Sequence, residues 1–212
     1  MSSFYIGSCR YQGFIPNFFP PRLHTTAEIL NFLNKYITGT LTFNDNVEFG
    51  HAIHPEVIKQ SEIFLETKPL NSRCSKMFME ICSNKFGYMG NTIVSDYYSR
   101  GCNLDIVYKK QSIDDIRRDI IEIKYLLSTH FNINNVYIIT HISIPLKSGD
   151  IIHDRENLKN ELLTLSDIVN VIDISAFMKT KYSTLEEIFP DSCHWCLSSY
   201  RTVEAFLSRH LS

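Results

Sequence analysis

The chain has 212 residues, with 21 Lys and Arg against 23 Asp and Glu, a net charge of -2, and 44% hydrophobic and 12% aromatic residues. This apolar content fills a core and excludes bulk disorder, and the balanced charge leaves no electrostatic footprint for nucleic acid or an anionic membrane. No apolar stretch reaches the roughly 18 residues of a membrane span, and Met1-Ser2-Ser3-Phe4 lacks the basic start and long apolar run of a signal peptide. One cytoplasmic domain over residues 1–212 is therefore expected, with no membrane span and no nucleic-acid partner.

Phe4-Tyr5-Ile6 is a short apolar run stopped by Gly7-Ser8 and reads as a buried strand entering a turn. Residues 11–24 hold Pro16, Pro20 and Pro21 and read as loop. Thr25 with Glu28 makes a capping box, and Ile29, Leu30, Phe32, Leu33, Tyr36 and Ile37 carry a helical stripe to residue 38. Leu41–Phe43 and Val47–Phe49 are strand candidates, Gly50 ends the second, and a helix fits Pro55 to Glu66. Lys76 to Cys82 reads as a central strand, and 85–111 as irregular. Ser112, with Asp114 and Asp115 in the first turn, opens a clear helix. Val136-Tyr137-Ile138-Ile139 is the best strand in the chain. A helix from Arg155 to Ile168, a strand from Val169 to Asp173 and an amphipathic helix from Cys196 to Leu211 complete the pattern. Strands separated by helices predict a three-layer α/β/α sandwich around a mainly parallel sheet.

The cysteines are Cys9, Cys74, Cys82, Cys102, Cys193 and Cys196. In a reducing compartment they are free thiols. Cys193-His194-Trp195-Cys196 has CxxC spacing, but structural zinc needs a second pair or two histidines, and a redox pair belongs after an early strand. Two small apolar residues flanking a helix start is the plainer reading.

Parallel sheets place their sites at the carboxyl ends of the strands. Those positions here hold Gly7-Ser8-Cys9-Arg10, Gly50 with His51 and His54 nearby, Cys82-Ser83-Asn84, Thr140-His141, and Asp191-Ser192-Cys193-His194 ahead of the last helix. A nucleophile, backbone and amide donors, and an Asp–His pair are the parts of an acyl-transfer centre.

This order of blocks resembles the SGNH (GDSL-like) hydrolase superfamily over nearly the whole chain. Gly7-Ser8-Cys9 stands where that superfamily has Gly-Asp-Ser, Gly50 at its second block, Cys82-Ser83-Asn84-Lys85 at Gly-x-Asn-Asp, and Asp191-Ser192-Cys193-His194 at Asp-x-x-His. Within it, Ile6-Gly7-Ser8-Cys9 is similar to the GSCFA branch. His141-Ile142-Ser143-Ile144-Pro145, Ser148-Gly149-Asp150 and Asn157-Leu158-Lys159 lie near that branch's later stretches, although Arg10 replaces its Phe. Acetyltransferases of capsule-sugar pathways also open on a Gly-x-Cys turn.

The resemblance implies Cys9 as nucleophile with Ser8 as the alternative, His194 as general base, Asp191 as its orienting acid, and Gly50 and Asn84 as oxyanion donors. Ser8, Arg10, His51 and His141 are then expected to line the substrate pocket. A Cys nucleophile makes a thioester and leans the reading towards acyl transfer, from an acyl-CoA donor to a sugar acceptor; Arg10 and Arg22 are candidates for the CoA phosphates. No cofactor is expected to stay bound. Each residue also has an ordinary reading: a buried Cys behind a strand end, an Asp N-cap, a turn Gly, a strand-end Asn. Cys9 for Ser, Cys82 for Gly and Lys85 for Asp feed a rival, a binding module with a degenerate site. A metal-dependent hydrolase using His51, His54 and His141 is the third reading.

Overall fold

The structure, a computed structural model, describes residues 2–7, 18–41, 70, 74–90, 92–94, 106–190 and 195–211. Among them, strands β1 (Ser2–Gly7), β2 (Phe18–Arg22), β3 (Cys74–Glu80), β7 (Asn135–Ile139) and β8 (Asn170–Ile172) form one sheet in the order β2-β1-β3-β7-β8. Every neighbouring pair in it is parallel. This is the doubly wound order of the flavodoxin-like folds.

The helices are α1 (Thr26–Thr38), α2 (Ile113–Phe131), α3 (His153–Leu163), α4 (Ile174–Lys179), α5 (Leu185–Ile188) and α6 (Leu197–Leu211). They cover both faces of the sheet. Phe4 and Ile6 of β1, Met77 and Met79 of β3, and Val136 and Ile138 of β7 pack under Phe32 of α1, Ile120 of α2 and Leu162 of α3. The alternate residues Tyr5, Phe78 and Ile139 join a second core with Met178 of α4, Ile188 of α5 and Val203 and Leu207 of α6. A strand buried on both faces reads as a continuous apolar run, which is why the three central strands were legible. On the α6 face Tyr5, Phe78 and Tyr137 form a column of rings, with centroids 4.7 Å apart at both steps and planes tilted by 9° and 11°.

Local chemistry sets the helix ends. Thr25 Oγ1 accepts from Glu28 N, and Glu28 Oε2 accepts from Thr25 N at 2.8 Å, the expected capping box. Ser112 and Asp115 repeat it at α2. Gly39 at φ 69° and Asn132 at φ 56° close α1 and α2 in the left-handed conformation.

Three expectations change. Residues 18–22 are a strand rather than loop. The region expected to be irregular contains a small antiparallel sheet of β4 (Lys85–Met89), β5 (Thr92–Val94) and β6 (Val107–Lys110), in the order β5-β4-β6. The short helices α4 and α5 had no sequence counterpart. The expected strand at 47–49 and helix at 55–66 lie outside the described residues. No helix among the described residues is long and apolar enough to cross a membrane.

Candidate active site

The chain runs from β1 outward to β2 and then returns to β3 on the other side of β1. The β1/β3 boundary is therefore the topological switch point, and the crevice beyond its carboxyl ends is where such sheets bind ligands. Gly7 ends β1 and Glu80 ends β3. The two are packed directly together. A Cβ added to Gly7 would lie 2.6 Å from Glu80 Cβ and 3.3 Å from Glu80 Cα. Real carbon pairs sit about 3.5–4.0 Å apart, so no side chain fits at position 7. Gly7 is thus required by close approach to β3 and not only by a turn.

Glu80 is 3% exposed. Strand alternation puts it on the same face as Phe78, towards α4, α5 and α6. It is a carboxyl inside a strand that is otherwise apolar from Met77 to Ile81, and burying such a group costs free energy unless it is partnered. Sequence reasoning passed over it. The available signal was this one acid within a doubly buried strand.

The turn after β3 is tied to the start of α1. His24 O accepts from Cys82 N and Ser83 N, both at 3.1 Å. Ser83 Oγ accepts from Lys85 N at 3.0 Å and donates to Lys85 O at 3.1 Å, and Asn84 O accepts from Gln111 N at 2.7 Å. These bonds fix Asn84 beyond the carboxyl end of β3. It lines a polar cleft of about 250 Å³ with Lys110 of β6 and Asp154, Asn157, Asn160 and Glu161 of α3.

Thr140 and His141 continue from β7, the other neighbour of β3. Thr140 N donates to Ile172 O at 3.1 Å. His141 is 4% exposed, so it is not a surface histidine, and its carbonyl accepts from Ser175 Oγ at 2.9 Å. Ser175 Oγ is also 2.7 Å from Ser143 N, which pins the whole 141–143 segment to α4. Beneath α3, Lys159 Nζ meets Glu156 Oε1 at 2.7 Å. Burial pushes the Glu156 carboxyl up, but the hydrogen bond and charge of Lys159, together with the Ser143 hydroxyl and the charge of Lys179, outweigh it and hold the group below its ordinary value of 4.5.

At the far end of the chain, Trp195 packs on Phe189 with centroids 4.6 Å apart. Cys196 N donates to Ile188 O at 2.9 Å, and Cys196 O receives Tyr200 N at 3.0 Å, the first bond of α6. Cys196 Sγ is 3.1 Å from Ser198 Oγ and 3.2 Å from Ser199 Oγ. Burial raises this thiol, and the hydroxyls and backbone N–H groups of Ser198 and Ser199 more than reverse the effect, leaving it below its ordinary range. Cys196 is thus at the helix start where the plainer reading of the CxxC placed it.

Of the expected site residues, Asn84 and His141 are described, each just past the end of a central strand. Ser8, Cys9, Arg10, Gly50, His51, Asp191 and His194 lie outside the described residues. The first of them follows Gly7 directly, and the last precedes Trp195. No group of three or more His, Cys, Asp or Glu suited to a metal ion occurs among the described residues.

No protein-family model matches the sequence, and no curated protein matches it. Among solved structures, the acetylxylan esterase Axe2 of Geobacillus stearothermophilus is similar at 9% identity and a TM-score of 0.46, over 99% of this chain and 93% of that one. A variant of Axe2, described as an acetyl-xylooligosaccharide esterase, gives 10% identity and a TM-score of 0.48 over the same shares. Figures this low carry neither substrate nor mechanism across.

Proposed function

We propose that this protein is an acyl-ester hydrolase or acyltransferase that works through an acyl thioester on Cys9. The observation that supports it best is the junction of Gly7 with Glu80: the glycine of the Gly7-Ser8-Cys9 block ends β1 at the switch point of a parallel sheet. The nucleophile block of an acyl-transfer fold belongs there. Asn84, fixed past the neighbouring strand, agrees with the oxyanion role that the sequence assigns it.

In this mechanism His194 takes the proton of the Cys9 thiol, and Asp191 holds the imidazole in the required tautomer. The sulfur attacks the acyl carbonyl carbon. The carbonyl oxygen takes the negative charge and is met by the Asn84 amide and the backbone N–H groups of Cys9 and Gly50. The tetrahedral intermediate collapses, the bond to the leaving oxygen or sulfur breaks, and His194 returns its proton to that leaving group. Water or an acceptor hydroxyl then attacks the thioester, His194 takes its proton, and the Cys9 sulfur leaves and receives that proton back from His194, restoring the thiol. Acyl-CoA as donor and a sugar hydroxyl as acceptor remain the finer form of the reading, with Ser8, Arg10, His51 and His141 around the substrate.

The test is release of p-nitrophenol from p-nitrophenyl acetate by wild type, Cys9→Ala and His194→Ala. Both variants are expected to lose about 10²-fold or more of kcat/KM. Equal rates in all three would refute the assignment and favour a binding module on this fold.

A further inference from the structure

A cleft of about 500 Å³ lies between α1, the first turns of α2 and the small sheet, and its lining residues all belong to the described set. None of the blocks assigned to acyl transfer bounds it. Its volume suits a small organic ligand. A polar knot holds its walls together. Thr26 Oγ1, at the first residue of α1, donates to Asp119 Oδ2 at 2.7 Å, and Gln111 Nε2 donates to the same oxygen at 2.6 Å. Thr26 and Gln111 are buried, so the knot ties the beginnings of α1 and α2 beside the cleft. It also occupies Asp119. The other acid of the cleft, Asp115, is committed as well: its Oδ2 accepts from Ser112 N and Ser112 Oγ, and its Oδ1 from Arg118. Arg118 is thereby neutralised, but Lys109 and Lys110 make no ion pair among the described residues. Lys109 Nζ instead stands 4.6 Å from the centroid of the Tyr88 ring, which also lines the cleft. A ring face holds an ammonium in place without cancelling its charge. On the α1 wall, Asn31 and Asn34 lie one turn apart, and each amide can both donate and accept. Leu30, Phe86 and Ile93 supply apolar surface between these groups.

We propose that this cleft binds a phosphomonoester of a hydroxylated small molecule, a nucleotide or a sugar phosphate, with Lys109 and Lys110 on the phosphate and Asn31 and Asn34 on the hydroxyls. The charge balance selects this class. A divalent cation would meet two acids that are already committed and two ammoniums that repel it. A neutral sugar would leave both ammoniums unmatched, whereas a phosphate satisfies them with charge-assisted hydrogen bonds. The amides then read the body of the ligand, whose carbon skeleton rests on the apolar surface. The site stands independently of the Cys9 reading.

The test is isothermal titration calorimetry of the full chain with AMP, glucose 6-phosphate, inorganic phosphate and glucose. It compares wild type with three double variants: Lys109→Ala with Lys110→Ala, Lys109→Arg with Lys110→Arg, and Asn31→Ala with Asn34→Ala. One of the two esters is expected to bind wild type about 10-fold or more tightly than inorganic phosphate or glucose does, and which one it is tells nucleotide from sugar phosphate. The Lys→Ala pair is expected to lose about 10-fold or more of that affinity, and the Lys→Arg pair to keep most of it. The Asn→Ala pair should bring the ester down towards inorganic phosphate. Lys109 and Lys110 are exposed, so their variants should unfold at the wild-type temperature. If the Asn→Ala pair does not fold, the lysine variants and the ligand comparison decide. No binding of either ester overturns the proposal, and so does an ester affinity that the Lys→Ala pair leaves unchanged. Inorganic phosphate bound as tightly as the esters would mean a non-specific ion site only, and glucose bound as tightly would mean that the lysines read nothing; both overturn it.

Discussion

Gly7→Ala puts the switch point under direct strain. The new methyl carbon would lie 2.6 Å from Glu80 Cβ, roughly 1 Å inside normal contact. The obstructing atom is the root of the Glu80 side chain, so a rotamer change does not clear it. The backbone has little room to retreat either. β1 is hydrogen-bonded to β2 and β3, and β3 to β1 and β7. Overpacking of this kind costs about 1–3 kcal/mol. Replacing glycine returns about 0.4–1 kcal/mol through the unfolded chain. The expected net loss is about 1–2 kcal/mol, read as a lower urea midpoint with an unchanged m-value, or as a fall in Tm of about 2–4 °C per kcal/mol for a chain of this size. The control is the same substitution in a Glu80→Gly background. There the obstructing carbon is gone, and the Gly7→Ala cost should largely vanish, a coupling of about 1 kcal/mol or more. A Gly7→Ala protein as stable as wild type, or a cost that persists without the Glu80 side chain, would refute the close-approach argument.

Lys159→Met removes the ammonium 2.7 Å from Glu156 and is expected to lower stability by about 1–3 kcal/mol at pH 7. Because the Glu156 carboxyl is held below 4.5, its stabilisation is present above that value and lost as pH falls through the lowered one, so the gap between wild type and variant should close in acid; a gap independent of pH would contradict this. Cys196 should be alkylated by iodoacetamide at a pH where an ordinary thiol is still protonated, and the joint change Ser198→Ala and Ser199→Ala should move the midpoint of that pH profile upward. An unmoved midpoint would mean that these hydroxyls do not set the thiol.

The parts of the fold that were legible in the sequence are those where a single physical signal dominates. β3 and β7 carry continuous apolar runs because both of their faces are covered, and α1 and α2 announce themselves by capping boxes that form with the expected partners. β2 was hidden because Pro20 and Pro21 argue against a strand, and its pairing to β1 is a tertiary fact that no local pattern carries. The strands of the small sheet are three to five residues long and interrupted by polar and glycine positions, too short to show a period. α4 and α5 are only six and four residues long, below the length at which a helical stripe becomes visible.

In the candidate site, Asn84 and His141 were found by their place after strand ends, and both stand there. Gly7 was read as a turn glycine, whereas the structure shows it pressed against Glu80. That contact joins residues 73 positions apart in the chain, so only the fold reveals it. Glu80 itself was overlooked because it sat inside the strand and not after it.

The most direct test of the acyl-Cys9 account is intact-mass spectrometry of wild type and Cys9→Ala after brief incubation with acetyl-CoA and, separately, with p-nitrophenyl acetate. The account predicts one added acetyl group in the wild type, located on Cys9 by peptide mapping and absent from the variant, and the donor that labels tells transferase from esterase. An adduct that survives Cys9→Ala, or turnover of either donor at wild-type rate in that variant, would contradict it.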